Sequence, residues 1–384
     1  MYIIKKTVVE PINQSFESEL HRQLLARKQN GLYRSLKVRD NTIDFSSNDY
    51  LGFARMPAII QAGDEQLLPA GATGSRLISG HSLMAEETEA LIAQFHGAEA
   101  ALIFNAGYMA NVGLFSCIAA KGDTFIGDEY LHASIIDGMR LSHATRFKFK
   151  HNSLPHLEQK LQAATGRKLV VVESIYSMDG DEAPLQAIAD LCQQYNALLL
   201  VDEAHATGIY GSNGQGLVSQ LGLENKVLAR VHTFGKALGL HGAAVVGSSV
   251  LKEYLINFAR SFIYATGLPP KSYLQIQQAY LQLHHIDKQE LTSLIQYYNA
   301  HKPNLASGHF LQSQSPIQGV ILGSNKLALQ LAAYLLAAGI HAKAILSPTV
   351  PAGKERIRLC LHIFNTTQQI DALFELLKSF EKIA

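Results

Sequence analysis

The chain has 384 residues, 17% of them charged, and a formal net charge of +1. No excess of either sign would draw it to nucleic acid or to an anionic membrane surface, so neither is expected as a partner. At this length, with 47% hydrophobic residues, it exceeds what one core usually supports and is expected to divide into domains.

MYIIKKTVVEP opens the chain without the apolar run of a secretory signal. The longest apolar run, at 327–340, is short for a bilayer span and is broken by Gln330. Cys117, Cys192 and Cys360 lie far apart in apolar stretches, which suits buried reduced thiols. A cytoplasmic location is the expectation that follows. The sixteen histidines are scattered without metal-site spacing, so no metal is expected.

Residues 1–45 read as an N-terminal extension packing with the far end of the chain. From 46 to 285, the large domain, buried-strand runs alternate with helical patterns. MAEETEALIAQFHG (84–97) has helical spacing and a stop at Gly97, and AALIF (100–104) and TFIGD (124–128) follow as strands. Then come KLVVVES (168–174), the helix PLQAIADLCQQYN (184–196), LLLVDEAH (198–205) and AAVVGS (243–248). Continuous apolar runs of this kind suit parallel strands covered on both faces by helices, which predicts an α/β fold on a mainly parallel sheet. Residues 286–384 read as a smaller α+β domain with VILGS (320–324), a helix over 327–339, RIRLCL (356–361) and a last helix. That helix opens on a capping-box pair, Thr366 and Gln369, and aligns Ile370, Leu373, Phe374 and Leu377 on one face.

Open α/β sheets bind ligands beyond the carboxyl ends of their strands. Asp202 falls there, after four apolar residues. Buried, it stays ionised only beside a cation or hydrogen-bond donors, such as a protonated pyridine nitrogen; the competing reading is an N-cap for the next helix. His205, three residues on, would reach the same ligand or serve as an ordinary loop histidine. Lys236 lies among Gly235, Ala237 and Gly239 in an apolar stretch. Lost hydration there would lower its pKa and favour the neutral amine that condenses with an aldehyde. Taken alone, a lysine is more often a solvated surface charge. The segment Asn105–Asn111 follows a strand and opens a helix, a place for an anion at free backbone N–H groups. Gly71–Arg76 is a second glycine-rich segment that could line the site. Neither is a GxGxxG fingerprint or a P-loop, which argues against a dehydrogenase or a nucleotide-driven enzyme.

Several segments in combination resemble the α-oxoamine synthases: FSSNDYLG (45–52), GSRLISG (74–80), HAS (132–134), YSMDGDEAPL (176–185), VDEAHATGIYG (201–211), TFGKALG (233–239) and SPTVPAGKERIRL (347–359). These are fold-type-I pyridoxal 5′-phosphate (PLP) enzymes. The resemblance implies a mainly parallel seven-stranded sheet in the large domain and a homodimer with shared active sites. By the same resemblance Lys236 holds PLP as a Schiff base, Asp202 pairs with the pyridine nitrogen and His132 stacks on the ring. His205 and Ser177 would lie at the phenolic oxygen. Gly107, Tyr108 and Thr233 would hold the phosphate, with Thr266 reaching the phosphate of a neighbouring subunit. Asn48, Thr349 and Arg358 would face the substrate, Arg358 through a bidentate contact with an amino-acid carboxylate. Taken singly, His132 could be a packing histidine, Ser177 a turn residue and Arg358 an exposed position on an edge strand. An N-terminal arginine contacts substrate in this family; Arg34 in GLYRSL is the candidate, with Tyr33 as the alternative.

The implied reaction is a decarboxylative condensation of an amino acid with an acyl thioester, in which Lys236 moves the α-proton. TFGKALGLHGAAVVGS and Ser315–Gln318 resemble the member that joins L-alanine to a pimeloyl group on coenzyme A (CoA) or a carrier protein, in biotin biosynthesis. The alternatives are 2-amino-3-ketobutyrate CoA ligase, 5-aminolevulinate synthase, serine palmitoyltransferase and autoinducer synthase. A catalytically silent partner subunit is a further one, although such subunits typically lose the lysine.

Overall fold

The computed structural model describes residues 12–38, 41–64, 67–306 and 308–382, so the first part of the expected N-terminal extension lies outside the described residues. A helix, Ile12–Gln29, precedes a short strand, β1 (Ile43–Asp44). Seven strands then build the large sheet: β2 (Ala100–Phe104), β3 (Thr124–Asp128), β4 (Thr145–Phe149), β5 (Lys168–Glu173), β6 (Ala197–Asp202), β7 (Ala229–Thr233) and β8 (Ala243–Gly247). After them come β9 (His309–Phe310), β10 (Ile317–Ile321), β11 (Ile340–His341), β12 (Lys343–Ile345) and β13 (Arg356–Cys360).

The large sheet runs β2-β8-β7-β6-β5-β3-β4. Its pairs from β4 through β7 are parallel, while β8 is antiparallel to both neighbours. AAVVGS, expected among the parallel strands, is therefore reversed. The connection explains it: residues 234–242 are too few for the crossover that a parallel neighbour needs. This short return keeps Lys236 at the carboxyl edge of the sheet.

Both faces of the sheet are buried. Leu102, Phe125, Leu169, Val171 and Leu200 pack into one core, and Ile103, Ile126, Val170, Val172, Leu199 and Val201 into the other. Such period-two division of continuous apolar strands is what helices on both faces require. Two strands escape a search for apolar runs. TRFKF (β4) is an edge strand with exposed charged residues. ARVHT (β7) buries Arg230, whose guanidinium donates to His96 O at 2.8 Å and Ser219 Oγ at 3.2 Å.

The four-stranded antiparallel sheet β12-β13-β10-β9 forms the second unit. The helix Asn325–Ala337 packs on it, and the helix Thr367–Glu381 carries the anticipated capping box and buried face. Residues 285 and 286 fall between the helices Pro270–Gln282 and Gln289–His301. β1 pairs in parallel with β11, Cys360 N donates to Phe45 O at 2.8 Å, and Ile363 N donates to Tyr50 O at 2.9 Å. Residues 43–50 thus run along the second unit, far from it in sequence. All three cysteines are unpaired; Cys192 and Cys360 are buried, whereas Cys117 is only half-buried. Among the described residues no helix is long and apolar enough to cross a membrane.

Candidate active site

The carboxyl ends of β5, β6 and β7 deliver Glu173, Asp202 and Thr233 to a cavity of about 260 Å³. Asp202 is buried, accepting from Asn111 Nδ2 at 2.8 Å and Ala204 N at 2.9 Å. Residues 204–209 are turns rather than a helix, which removes the N-cap alternative. Those two donors hold the carboxylate without neutralising it, so its outer side remains suited to a cation.

Lys236 lines the same cavity from the β7–β8 loop. Burial lowers its pKa, against the opposing pull of the Asp202 and Glu173 charges. His205 is buried and lies 2.8 Å, Nδ1 to hydroxyl, from Tyr50 OH. Burial first, then Lys236 and Arg358, drives its pKa well below the ordinary value, so the ring is neutral. His132 caps the helix Ala133–Leu141, with Nδ1 2.7 Å from Ser134 Oγ, and its backbone N–H donates to Glu173 Oε1 at 2.6 Å. Its ring borders the cavity, and burial lowers its pKa as well.

The helix Gly107–Cys117 begins at the cavity wall after Ala106, which supplies no side-chain cap. Its first N–H groups have no intrahelical acceptor and face outward with the positive end of the dipole. Thr233 closes the other side so tightly that a Cβ on Gly107 would lie 2.5 Å from Thr233 Cγ2. Only glycine leaves the anion cradle unfilled. Tyr108 is exposed, and its hydroxyl donates to Asp137.

Asn48 links the cavity to the second unit. Arg358 is buried in the middle of its sheet, on β13, which excludes the edge-strand reading. Its Nε donates to Ser177 O at 2.7 Å, NH1 to Cys360 Sγ at 2.9 Å and NH2 to Asn48 Oδ1 at 3.0 Å. Asn48 itself lines the cavity. Ser177 does not line the cavity; its carbonyl is the acceptor for Arg358 Nε.

Other anticipated residues are not gathered here. Arg34 and Tyr33 are exposed in the segment after the first helix, with Lys28 Nζ 4.9 Å from the Tyr33 ring centroid. Thr349 is exposed in a turn, its N–H donating to Leu346 O at 2.9 Å. Thr266 bridges to Ser75 and accepts from Asn105 Nδ2 at 2.5 Å, beside a separate recess. In turn, no motif singled out Glu173, Ser134, His241 or Tyr50, and Asn111, expected within the anion segment, instead braces Asp202. Glu173 ends its strand as Asp202 does, in direct register with it, so the strand-end rule would have found it. Asn111 follows Gly107 by four residues and shares its helix face.

The donor set fits PLP. A lysine of lowered pKa, a braced buried carboxylate and a side-chain-free anion cradle converge on one cavity, and Asn111 Oδ1 is buried there without a partner. Fold and pocket together define a fold-type-I PLP-dependent transferase. The family model for aminotransferase class I and II matches residues 40–377. The 8-amino-7-oxononanoate synthase of Emericella nidulans is 41% identical, covering 92% of this chain and 93% of that protein. Two solved structures are similar. A lysine-to-alanine variant of serine palmitoyltransferase from S. paucimobilis, with a bound PLP–myriocin aldimine, has a TM-score of 0.86 at 28% identity, covering 96% of this chain and 99% of that one. The 8-amino-7-oxononanoate synthase of Francisella tularensis has a TM-score of 0.76 at 29% identity, covering 90% and 99%. The chain belongs to the aminotransferase class I and II family and, within it, to the 8-amino-7-oxononanoate synthases.

Proposed function

We propose that the chain condenses L-alanine with a pimeloyl thioester, on CoA or a carrier protein, to give 8-amino-7-oxononanoate for biotin synthesis. The observation that carries the reading is Lys236 beside a braced Asp202 in one cavity, whose lining residue Asn48 accepts from Arg358 at 3.0 Å. In the balanced reaction the alanine α-carbon bonds to the thioester carbonyl, the C–S bond breaks to release the thiol, and the carboxylate leaves as CO₂.

PLP, when bound, supplies an aldehyde that captures the amine and a ring that takes up electron density from the α-carbon. Lys236 Nζ would hold it covalently, Asp202 at the pyridine nitrogen, His132 against the ring, and His205 and Ser177 towards the phenolic oxygen. The first N–H groups of Gly107 and Tyr108, with the Thr233 hydroxyl, would hold the phosphate. Lys236, whose charge burial disfavours, would take the proton from the alanine α-carbon and return one there at the end. Arg358 has two N–H groups beyond its three protein bonds, enough for a bidentate grip on the alanine carboxylate. Asn48 steadies that guanidinium.

Homodimerisation goes with this reading, since Thr266 would complete the phosphate site of a second copy, and Arg34 and Thr349 would border substrate. So does a division into 1–45, 46–285 and 286–384. Three unpaired cysteines favour a reducing, cytoplasmic setting.

The test is a matrix assay. Alanine, glycine and serine are each offered with acetyl-, succinyl-, pimeloyl- and palmitoyl-CoA, and with pimeloyl-carrier protein, following thiol release. Alanine with a pimeloyl thioester should be the best pair. A preference for serine with palmitoyl-CoA would instead follow the structural likeness to serine palmitoyltransferase and overturn the assignment.

A further inference from the structure

The hairpin Ile175–Glu182 lies between the large unit and the second unit, bonded to both. It is closed by Tyr176 N donating to Asp181 O at 3.0 Å and Gly180 N donating to Tyr176 O at 2.9 Å. Its tip is seated on the second unit. Arg358 Nε reaches Ser177 O at 2.7 Å, Arg356 NH1 reaches Met178 O at 3.2 Å and Asp179 Oδ1 at 2.5 Å, and Ser313 Oγ donates to Gly180 O at 2.8 Å. The fit leaves no slack: a Cβ on Gly180, whose φ is +71°, would lie 2.4 Å from Ile317 O.

Its stem is held by the large unit. His151, just beyond β4, places Nδ1 3.0 Å from Asp128 Oδ1 and Nε2 2.7 Å from Asp181 Oδ2. Asn152 spans the same two carboxylates, N to Asp128 Oδ2 at 2.9 Å and Nδ2 to Asp181 Oδ2 at 2.8 Å. The His151 ring stacks on Tyr130 with centroids 4.4 Å apart and meets Tyr176 edge-on at 4.4 Å. With an acceptor at each nitrogen, only the imidazolium satisfies both contacts. Burial pulls its pKa down, but the bonds to Asp128 and Asp181 outweigh that and raise it to about 10.

We propose that His151 is a positioning residue for amino-acid binding: by bridging Asp128 and Asp181 it fixes the hairpin, whose Ser177 carbonyl aims the Arg358 guanidinium. The inference rests on the reading of Arg358 as the carboxylate ligand. A guanidinium fork held at Nε turns with its anchor, and a small rotation spoils a bidentate contact while leaving the cofactor's contacts untouched. The hairpin is therefore a brace between the part that holds the cofactor and the part that holds the amino acid.

The experiment titrates PLP-loaded enzyme with L-alanine without thioester, reading the spectral change of the bound cofactor, together with PLP retention and steady-state kinetics. His151→Gln removes the cation and with it both charged contacts, leaving at most one neutral hydrogen bond. Asp179→Asn loosens the tip while leaving His151 intact. Each should weaken alanine binding about 10-fold, the scale of one hydrogen bond to a charged group, with PLP retention unchanged and kcat at saturating alanine nearly so. The double variant should be no worse than about the weaker single. Arg358→Ala separates the two claims: if it spares alanine affinity, the carboxylate reading fails. If it weakens alanine binding while His151→Gln does not, the brace fails. Should His151→Gln not fold, Asp179→Asn decides, and unchanged alanine affinity there overturns the proposal.

Discussion

The floor and the wall of the cavity are built by different means. The floor takes Glu173 and Asp202 from neighbouring positions on β5 and β6, so a hydrogen-bonded ladder sets their spacing. The wall takes Asn48 and Arg358 from opposite ends of the chain and sets their spacing through side chains and one braced hairpin. A ladder resists sub-ångström displacement, whereas a side-chain network shifts when one member is lost. The floor is thus suited to chemistry that tolerates no misplacement, and the wall to recognition that can be tuned.

Substitutions should sort accordingly. The largest effect belongs to the floor: Lys236→Ala should lower turnover by about 10³-fold or more, and the absorbance of lysine-bound cofactor should vanish. A variant with full turnover would remove Lys236 from the mechanism. On the wall, Arg358→Lys replaces a fork by a point charge and should raise the KM for alanine about 10- to 100-fold with much less change in kcat. An equal loss in both would erase the distinction between floor and wall. Gly107→Ala crowds Thr233 Cγ2 and should weaken PLP binding about 10-fold in a fluorescence titration. Adding Thr233→Ser, which deletes that methyl and keeps the hydroxyl, should restore it.

The smallest effect is on stability. Burial, reinforced by Asp202, pushes Glu173 from 4.5 up to about 8. A folded value above the unfolded one means that its contribution is complete below about 4.5 and is lost as pH rises through about 8. Thermal melts of the cofactor-free protein across that window should decline with pH, and Glu173→Gln should flatten part of the decline.

The same division decides how much the sequence disclosed. Floor strands announce themselves as apolar runs because both faces of the sheet are covered, and the strand-end rule then picks out Asp202. An apolar run carries no direction, so the reversal of β8 was not visible. Neither was β7, whose burial of Arg230 and His232 depends on partners elsewhere in the chain. Lys236 gained meaning only beside Asp202, and the places of His132, Ser177 and Arg358 came from family resemblance rather than spacing. Nothing in RIRLCL says that its second arginine turns inward to Asn48, since that contact spans 310 residues. Thr266 illustrates a different limit: the role proposed for it in a second copy's site would leave no mark on the fold of one chain.

That separation of Asn48 and Arg358 also orders events in time. Closing so long a loop is entropically slow, while β5 and β6 need only a local crossover to align. On a ribosome, the residues of the floor would all have emerged while β13 was still being synthesised. The strands that carry Glu173, Asp202 and Thr233 would thus be complete before the contact between Asn48 and Arg358 could form.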